Sequence, residues 1–239
     1  MALAELYAAP GITLALTGKD QDKLDEITKT CETAGAHVIS EEIDIADYDA
    51  ISTWVLDVDK DFPIDLVIAN AGVTSSIGKD SSPETWEQMK PVFDINLHGT
   101  LGTFTPLVEP MRKRQRGQIA IVSSLAAYRG LPVTPAYCAS KAATKVYGEA
   151  LRGVLSADGI GVSVICPGFV ETAMSDKFHR PKPFMTTPKK AAKIIRNGLK
   201  ANRARISFPF PLNLGVWFLS ISPAPIAERL IDIFKYGRN

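Results

Sequence analysis

Short apolar runs alternate with longer amphipathic stretches along most of the chain. An apolar run without polar alternation, bounded by turn residues, predicts a strand that is buried on both faces. A stretch whose apolar residues recur every three or four positions predicts a helix, as where Leu24, Ile27 and Cys31 share one face. These rules predict strands at 12–17, 37–45, 64–70, 118–123, 161–166 and 205–208. They predict helices at 20–34, 46–58, 84–114, 135–155 and 187–201.

Residue types that favour helix starts mark two of these helices. Ser82 is the predicted cap of the helix at 84–114, with Pro83 in its first turn. Thr134 is the predicted cap of the helix at 135–155, again with a proline, Pro135, near the start. The sequence therefore predicts where each of these two helices begins.

The alternation of strands and helices is typical of an α/β fold whose parallel sheet is covered by helices on both faces. We expect a doubly wound, Rossmann-like sheet in a three-layer α/β/α arrangement, formed by one domain over residues 1–239. Within it we expect a substrate lid at 173–187 and an apolar C-terminal extension at 206–239. Ligands bind such sheets at the carboxyl ends of the strands, so we look for the chemistry there.

Composition narrows the classes of function. Hydrophobic residues make up 46% of the chain, which excludes a disordered protein, and the net charge of +1 gives no reason to expect a nucleic-acid partner. The three cysteines and three histidines are scattered, so we expect neither a disulfide nor a metal site. Unpaired cysteines are typical of the reducing cytosol, and the predicted location is cytoplasmic.

Neither end of the chain predicts a signal peptide or a membrane span. Residues 1–9 lack the basic start and the cleavage-like ending of a signal. Residues 206–227 carry no charged side chain and approach the length of a span, roughly 20 residues. The stretch is interrupted by Pro209, Pro211, Pro223 and Pro225. Because these prolines break helical hydrogen bonding, we expect no transmembrane helix.

The most distinctive pair of side chains is Tyr137 and Lys141, four residues apart in a predicted helix. Residues at this spacing lie on one face, so the phenol and the ammonium project together. A free phenol has a pKa of about 10, and a cation within about 4–6 Å lowers that value. Such a pair can exchange a proton with a carbonyl oxygen. The alternative for an isolated pair is a solvated helix face.

Other polar residues and glycines follow the predicted strands. Ser124 can donate a hydrogen bond to the same substrate oxygen, or serve as a turn cap. Gly72 permits close approach of a ligand to the backbone, or belongs to an ordinary turn. Asn96 lies inside a predicted helix, where it can bend the helix, hold a water or simply face solvent.

Taken together, these residues resemble the classical short-chain dehydrogenase/reductase family. The matching pieces occur in the family's order and with its usual separations, from the first residue to about residue 172. They are Asn70-Ala71-Gly72, Asn96, Ser124, Tyr137-x-x-x-Lys141 and Pro167-Gly168-Phe169-Val170-Glu171-Thr172. The resemblance implies an oxidoreductase that moves hydride between a nicotinamide cofactor and a ketone or alcohol.

The resemblance also implies a catalytic tetrad of Asn96, Ser124, Tyr137 and Lys141. Tyr137 would exchange the proton with the substrate oxygen, which Ser124 would orient and polarise. Lys141 would lower the pKa of Tyr137 and hold the nicotinamide ribose. Asn96 would position a water that feeds protons to Lys141.

Further residues are implied as cofactor contacts. Val170 and Thr172 would contact the nicotinamide carboxamide, and Asp44 and Ile45 would flank the adenine. Lys19 matches a position that is often basic in members that prefer NADP, although Asp20 beside it weakens that preference. We therefore expect NADP, with NAD as the alternative. The complete set of implied cofactor contacts is Lys19, Asp44, Ile45, Asn70, Ala71, Gly72, Tyr137, Lys141, Pro167, Gly168, Val170 and Thr172.

One part of the family's pattern is missing from the chain. The family begins with a strand and a glycine-rich turn that holds the pyrophosphate at a helix start, and the chain has neither. Residues 1–8 match the remainder of the helix that follows that turn. Either the native protein is longer, or the chain has lost normal cofactor binding. We expect the 239 residues alone to bind NADPH poorly.

The segments after residue 172 bear on the substrate and on partners. The lid contains Met174, Phe178, His179, Phe184 and Met185, and an apolar tail follows. Both indicate a lipophilic ketone or secondary alcohol. The helix at 187–201 carries a basic stripe of Lys189, Lys193, Arg196 and Lys200. The stripe beside the apolar tail is compatible with weak contact with an anionic membrane surface, or with a solvated helix beside a packed tail.

The long helices at 84–114 and 135–155 predict, by the same resemblance, a homodimer or homotetramer. Two alternatives to an enzyme remain open at this point. One is a non-catalytic ligand-binding or regulatory relative that has lost cofactor binding, and the other is a peripheral membrane protein.

Overall fold

A computed structural model describes residues 1–76, 82–176, 178 and 181–234 of the chain. Two predicted segments, the lid and the C-terminal extension, therefore fall partly outside the described residues. His179 and two other positions of the predicted lid lie there, as do the last five residues of the predicted C-terminal extension.

Six parallel strands form the middle layer of the fold. They are β1 (Thr13–Gly18), β2 (His37–Glu42), β3 (Leu66–Ala69), β4 (Gly117–Val122), β5 (Ile160–Pro167) and β6 (Arg205–Phe208). All six predicted strands are present. The second strand ends at Glu42, three residues before the predicted end, because the chain turns there into the loop that precedes the next helix.

Ten α-helices surround the strands in the described part of the chain. They are α1 (Ala2–Tyr7), α2 (Gln21–Thr33), α3 (Tyr48–Asp61), α4 (Trp86–Phe93), α5 (Thr100–Arg114), α6 (Pro135–Leu155), α7 (Ala173–Asp176), α8 (Pro188–Lys200), α9 (Leu212–Ile221) and α10 (Ala224–Ile233). The bounds of α6 are those predicted. Thr134 is its N-cap residue, but the Thr134 hydroxyl donates to the Ser75 backbone oxygen and caps no N–H of the helix.

The long helix predicted at 84–114 differs from the prediction in two ways. It begins at Trp86 with Thr85 as its cap, so the assignment of Ser82 as the cap was wrong. The side chain of Gln88 accepts a hydrogen bond from the Thr85 backbone N–H at 2.9 Å. This contact fixes the cap at Thr85, three residues after the predicted cap. The helix is also interrupted by a π-helical turn at Asp94–Gly99, which separates α4 from α5.

Helices cover the sheet on both faces, as predicted for a doubly wound fold. On one face, α3, α5 and α6 bury residues such as Ile51, Phe104 and Leu155 against β3, β4 and β5. On the opposite face, α8 buries Ile195 and Leu199 against β4, β5 and β6. The three cysteines are free and buried at separate places in these layers: Cys31, Cys138 and Cys166.

The middle layer is divided into two sheets. β1 pairs with β2, and β3 to β6 form a four-stranded sheet in the order β3-β4-β5-β6.

The C-terminal part adds two short helices to the sheet's last strand. α9 contains no charged residue and none of its side chains is buried. Within the ranges that the structure describes, no helix combines the length and the apolar character required to cross a membrane.

Candidate active site

The helix α6 brings the tyrosine and lysine of the predicted pair to the carboxyl ends of the strands. Lys141 is only 3% exposed, and its Nζ lies 5.9 Å from the centroid of the Tyr137 ring. The ammonium donates a hydrogen bond to the backbone oxygen of Val122, at the end of β4, at 2.9 Å. Ser123 fixes the same turn of α6 by donating to the backbone oxygen of Lys141 at 2.7 Å. The pair is therefore held against β4 and is not a solvated helix face.

Burial dominates the ionisation of both groups. It raises the pKa of Tyr137 above the usual 10.0, while the hydrogen bond with Ser124 acts in the opposite direction. This is opposite to the lowering expected from the Tyr-Lys pair. Burial also lowers the pKa of Lys141 from 10.5 to about 8. At neutral pH the site thus holds a protonated phenol beside an ammonium that can release its proton close to neutrality.

Asn96 lies in the π-helical turn and is fully buried. Its Oδ1 accepts from the Val73 backbone N–H at 2.8 Å, and its Nδ2 donates to the Val73 backbone oxygen at 2.9 Å. The same Nδ2 donates to the Ser140 hydroxyl at 3.0 Å. The side chain of Asn96 therefore ties the segment after β3 to α6, next to Lys141.

Gly72 follows β3 at the point where Asn96 and Lys141 approach each other. A Cβ at this position would lie 3.2 Å from Asn96 Oδ1 and 3.2 Å from Lys141 Nζ. This is tighter than most Cβ contacts, so a side chain here would displace one of the two polar atoms. The absence of a side chain at Gly72 is thus required by the packing of the site.

Glu84 is a residue of this site that the sequence did not indicate. It is only 9% exposed, and its carboxylate accepts hydrogen bonds from the Ala136 backbone N–H at 2.8 Å and from the Ser75 hydroxyl. Thr134, just before α6, donates to the backbone oxygen of Ser75 at 2.6 Å. Since Ala136 adjoins Tyr137, this network fixes the first turn of α6. The contact joins positions 52 residues apart, and no local pattern marks it.

A single cavity of about 1920 Å³ opens beside these groups. It is lined by all but one of the predicted site residues: Lys19, Asp44, Ile45, Asn70, Ala71, Gly72, Ser124, Tyr137, Lys141, Pro167, Gly168, Val170 and Thr172. The exception is Asn96, which lies behind Gly72 and Val73. The residues predicted for the two ends of a dinucleotide thus share one space.

Apolar side chains of the segments predicted as substrate lid and C-terminal extension also line the cavity. Met174 and Phe178 line it from the segment after Thr172. This segment is tied down where Thr186 donates its backbone N–H to the Phe169 backbone oxygen at 2.9 Å. From the tail, the cavity is lined by Leu212, Leu214, Val216, Phe218, Leu219, Leu230, Ile231 and Phe234. The basic side chains predicted on α8 are all exposed: Lys189, Lys193, Arg196 and Lys200.

Comparison with known proteins agrees with this geometry. The family model described as short chain dehydrogenase matches residues 1–183. The chain belongs to the short-chain dehydrogenase family. Among relatives of this family, an uncharacterized oxidoreductase of Myxococcus xanthus is 31% identical over 227 residues, covering 95% of this chain and 89% of the relative.

Two other relatives carry more specific names. The 3-dehydrosphinganine reductase TSC10B of Arabidopsis thaliana is 29% identical over 224 residues, covering 88% of this chain and 66% of the relative. The ketoacyl reductase HetN of a Nostoc species is 28% identical over 203 residues, covering 83% of this chain and 70% of the relative. All of these short-chain dehydrogenase relatives are oxidoreductases by name.

Solved structures confirm the Rossmann-like fold. A short-chain dehydrogenase/reductase of Burkholderia phymatum in complex with NAD has a TM-score of 0.81 at 22% identity, covering all of this chain and 90% of that one. A short-chain dehydrogenase of Sphingobium yanoikuyae in complex with NADPH has a TM-score of 0.78 at 20% identity, covering 88% and 83%. The chain is therefore a short-chain dehydrogenase/reductase in family and in fold.

Proposed function

We propose that the protein is an NADP-dependent carbonyl reductase or alcohol dehydrogenase that acts on a lipophilic ketone or secondary alcohol. The observation that carries this proposal is the shared cavity, which is lined by Ser124, Tyr137 and Lys141 together with apolar side chains of the predicted lid and C-terminal extension. The names of the relatives support a lipophilic substrate, since 3-dehydrosphinganine and ketoacyl groups both join a ketone to an acyl-derived chain.

Side chains of the protein donate and return the proton that the reduction of a ketone requires. Tyr137 stays protonated at neutral pH because burial raises its pKa, so it can donate to the oxygen of a ketone during reduction. Ser124 hydrogen bonds the same phenol and orients the substrate oxygen. Lys141, with a pKa of about 8, returns a proton to the phenol after each cycle. Asn96 acts as a positioning residue, because both hydrogens of its amide are used on Val73 and Ser140.

The residues of the cavity fit the two ends of a nicotinamide dinucleotide, which would supply the hydride when bound. Lys141 and Tyr137 would hold the ribose, and Val170 and Thr172 the carboxamide. Asp44 and Ile45 would flank the adenine. Among the described residues, a glycine-rich turn for the pyrophosphate is not part of the lining.

Lys19 supports the choice of NADP. It lines the cavity, whereas the carboxylate of Asp20 is engaged by the side chain and backbone N–H of Lys23 at the start of α2. Because Asp20 is paired with Lys23, it opposes a nearby phosphate less than its position in the sequence suggested. We propose that Lys19 pairs with the additional phosphate of NADP.

Replacement of Tyr137 by phenylalanine tests the proposed acid. At saturating NADPH we expect Tyr137→Phe to lower kcat by about 10² to 10⁴, the usual contribution of a general acid, and to weaken NADPH affinity far less, because Lys141 still holds the ribose. NADPH consumption with long-chain ketones gives the rate, and NADPH fluorescence gives the affinity. Tyr128→Phe is the matched control, because Tyr128 hydrogen bonds Ser207 and is not part of the cavity lining. Full turnover by Tyr137→Phe would move the proton donor elsewhere.

The cavity lining, which contains no glycine-rich turn among the described residues, favours a second candidate, a ligand-binding relative without catalysis. In that case lipophilic ketones bind the cavity but are not reduced, and Tyr137→Phe changes neither binding nor turnover. A measured turnover by the unmodified chain that Tyr137→Phe abolishes would exclude this candidate.

A further inference from the structure

A second, smaller cavity lies beside β6 and the start of α9, and we call it the β6 pocket. Its volume is about 390 Å³, near the lower end of the range of about 300–1,000 Å³ that is usual for ligand sites. Only Leu214 lines both this pocket and the large cavity. The other residues of the β6 pocket are Tyr128, Arg205, Ser207, Phe210, Asn213 and Trp217.

The charged side chain of the β6 pocket belongs to a cluster with an excess of positive charge. Glu149 on α6 pairs with Lys145 at 3.1 Å and also with Arg205. Two cations share one carboxylate, so one positive charge of the cluster is not compensated. The Nε and Nη2 of Arg205 donate to Glu149, whereas its Nη1 has no hydrogen-bond partner in the part of the chain that the structure describes. One side of the planar guanidinium is thus available to an anion.

The ring of Tyr128 holds both cations of this cluster in place. The Nζ of Lys145 lies 5.2 Å from the ring centroid, and the Cζ of Arg205 lies 5.6 Å from it. Both distances are within the range of a cation–π contact, about 6 Å. The hydroxyl of Tyr128 is itself hydrogen bonded to the hydroxyl of Ser207 at 3.0 Å. Because the guanidinium is fixed before a ligand arrives, less side-chain freedom is lost when an anion binds it.

Apolar side chains form another part of the wall of the β6 pocket. Phe210, Leu214 and Trp217 line it, and each of them is at least 42% exposed. Asn213 lies among them, but its Nδ2 donates to the Ser207 backbone oxygen at 3.1 Å and its Oδ1 accepts from the Leu214 N–H at 2.9 Å. A pocket with one charged group and an aromatic wall favours a ligand that has an anionic end and an apolar body.

We propose that the β6 pocket binds an amphipathic carboxylate, such as a medium-chain fatty acid. The carboxylate pairs with the free side of the Arg205 guanidinium, and the alkyl chain lies against Trp217 and Phe210. A neutral amphiphile lacks the ion pair, and inorganic phosphate lacks the apolar contact. The site takes no part in hydride transfer, so the proposal does not depend on the proposed function.

Binding of ω-bromodecanoate to the full chain without NADPH tests this, because bromine quenches the fluorescence of a tryptophan that it contacts. The chain has three tryptophans, Trp54, Trp86 and Trp217, and Trp54 lines the large cavity. When Trp54 and Trp86 are both replaced by phenylalanine, we expect saturable quenching of Trp217. When Trp217 is replaced instead, we expect little quenching at the same concentrations. Quenching of Trp54 alone would place the ligand in the large cavity and overturn the proposal, as would the absence of quenching.

Two substitutions with opposite expected effects test the role of charge. Arg205→Gln removes the guanidinium, and we expect it to weaken ω-bromodecanoate binding about tenfold or more, as for a lost charge-assisted hydrogen bond. Glu149→Gln removes the shared carboxylate but keeps both cations, and we expect it to strengthen binding about fivefold. Arg203→Gln is the matched control, because Arg203 is exposed and does not line the β6 pocket. It should change the affinity by less than about twofold.

Unchanged affinity of Arg205→Gln would overturn the proposal. If this variant does not fold by circular dichroism, Glu149→Gln decides, since unchanged or weaker binding by Glu149→Gln would contradict the excess positive charge. The neutral analogue ω-bromodecanol provides a separate test. We expect it to bind the unmodified chain at least about tenfold more weakly than the acid. Equal binding of acid and alcohol would reduce the β6 pocket to an unspecific apolar surface and overturn the proposal.

Discussion

Replacing Lys141 by methionine should make the protein more stable at neutral pH while removing its activity. The ammonium is buried, and its pKa falls from 10.5 to about 8. This difference corresponds to a cost of about 3 kcal/mol for keeping the charge in the folded state at pH 7. Methionine has a similar length and carries no charge.

The stability gained by Lys141→Met is smaller than the cost of burying the charge, because the substitution also removes a hydrogen bond. Lys141 donates to the Val122 backbone oxygen at 2.9 Å, and losing that bond costs about 1 to 2 kcal/mol. We therefore expect Lys141→Met to raise the free energy of unfolding at pH 7 by about 1 to 2 kcal/mol, which moves the urea midpoint by about 0.5 to 1 M.

The difference in free energy of unfolding between Lys141→Met and the wild type should change sign at high pH. Between about 8 and 10.5 the unfolded wild-type chain binds the Lys141 proton and the folded chain does not, so wild-type stability rises with pH through this window. The variant lacks this gain. Above that window the wild type keeps the hydrogen bond without the charge and becomes the more stable of the two.

Urea unfolding of both proteins at several values from pH 7 to pH 10.5 measures this crossover. Lys145→Met is the matched control, because Lys145 lies on the same helix and pairs with Glu149 at 3.1 Å. Loss of that pair should destabilise the chain by less than about 1 kcal/mol. A stability difference between Lys141→Met and wild type that does not vary across this pH range would refute the reasoning.

Three other substitutions test parts of the site. Lys19→Glu should reverse the preference for NADPH over NADH, and unchanged relative affinities by titration would remove Lys19 from the phosphate contact. Gly72→Ala should destabilise the chain by about 1 to 3 kcal/mol and reduce turnover, because its Cβ meets Lys141 Nζ at 3.2 Å; Gly130→Ala, with open space around it, is the control. Glu84→Ala should lower the free energy of unfolding by about 1 to 2 kcal/mol, since α6 loses the acceptor of its Ala136 N–H. Urea unfolding checks the two stability effects, and unaltered midpoints would contradict them.

Local signals in the sequence predicted the elements that carry them. The helix α6 has both predicted bounds, and the proline at its start marked where it begins. The strand β6 also has the predicted bounds. Asn96 was one expected site of a helix bend, but the π-helical form of the turn was not predicted, because one extra residue in a turn barely disturbs the spacing of apolar positions. Thr85 followed by Gln88 is a capping-box pattern, and it marks the true start of α4.

The positions of the reactive side chains were easier to predict from the sequence than their burial and their contacts with distant segments. Spacing placed Tyr137 and Lys141 on one face of a helix, and the structure brings them to a common cavity. The predicted lowering of the Tyr137 pKa was wrong, because burial raises this pKa and burial depends on side chains from distant segments. Glu84 was missed for the same reason, since its partner Ala136 is far away in the chain.

The reactivity of the buried cysteines can report local opening of the structure. Cys31 lies under the two-stranded sheet with Leu24 and Ile27, whereas Cys166 lies within β5 of the larger sheet. Burial raises the pKa of both thiols, so neither reacts readily until its surroundings open. The rates at which a thiol reagent modifies the two positions therefore time the separate opening of the two halves of the middle layer.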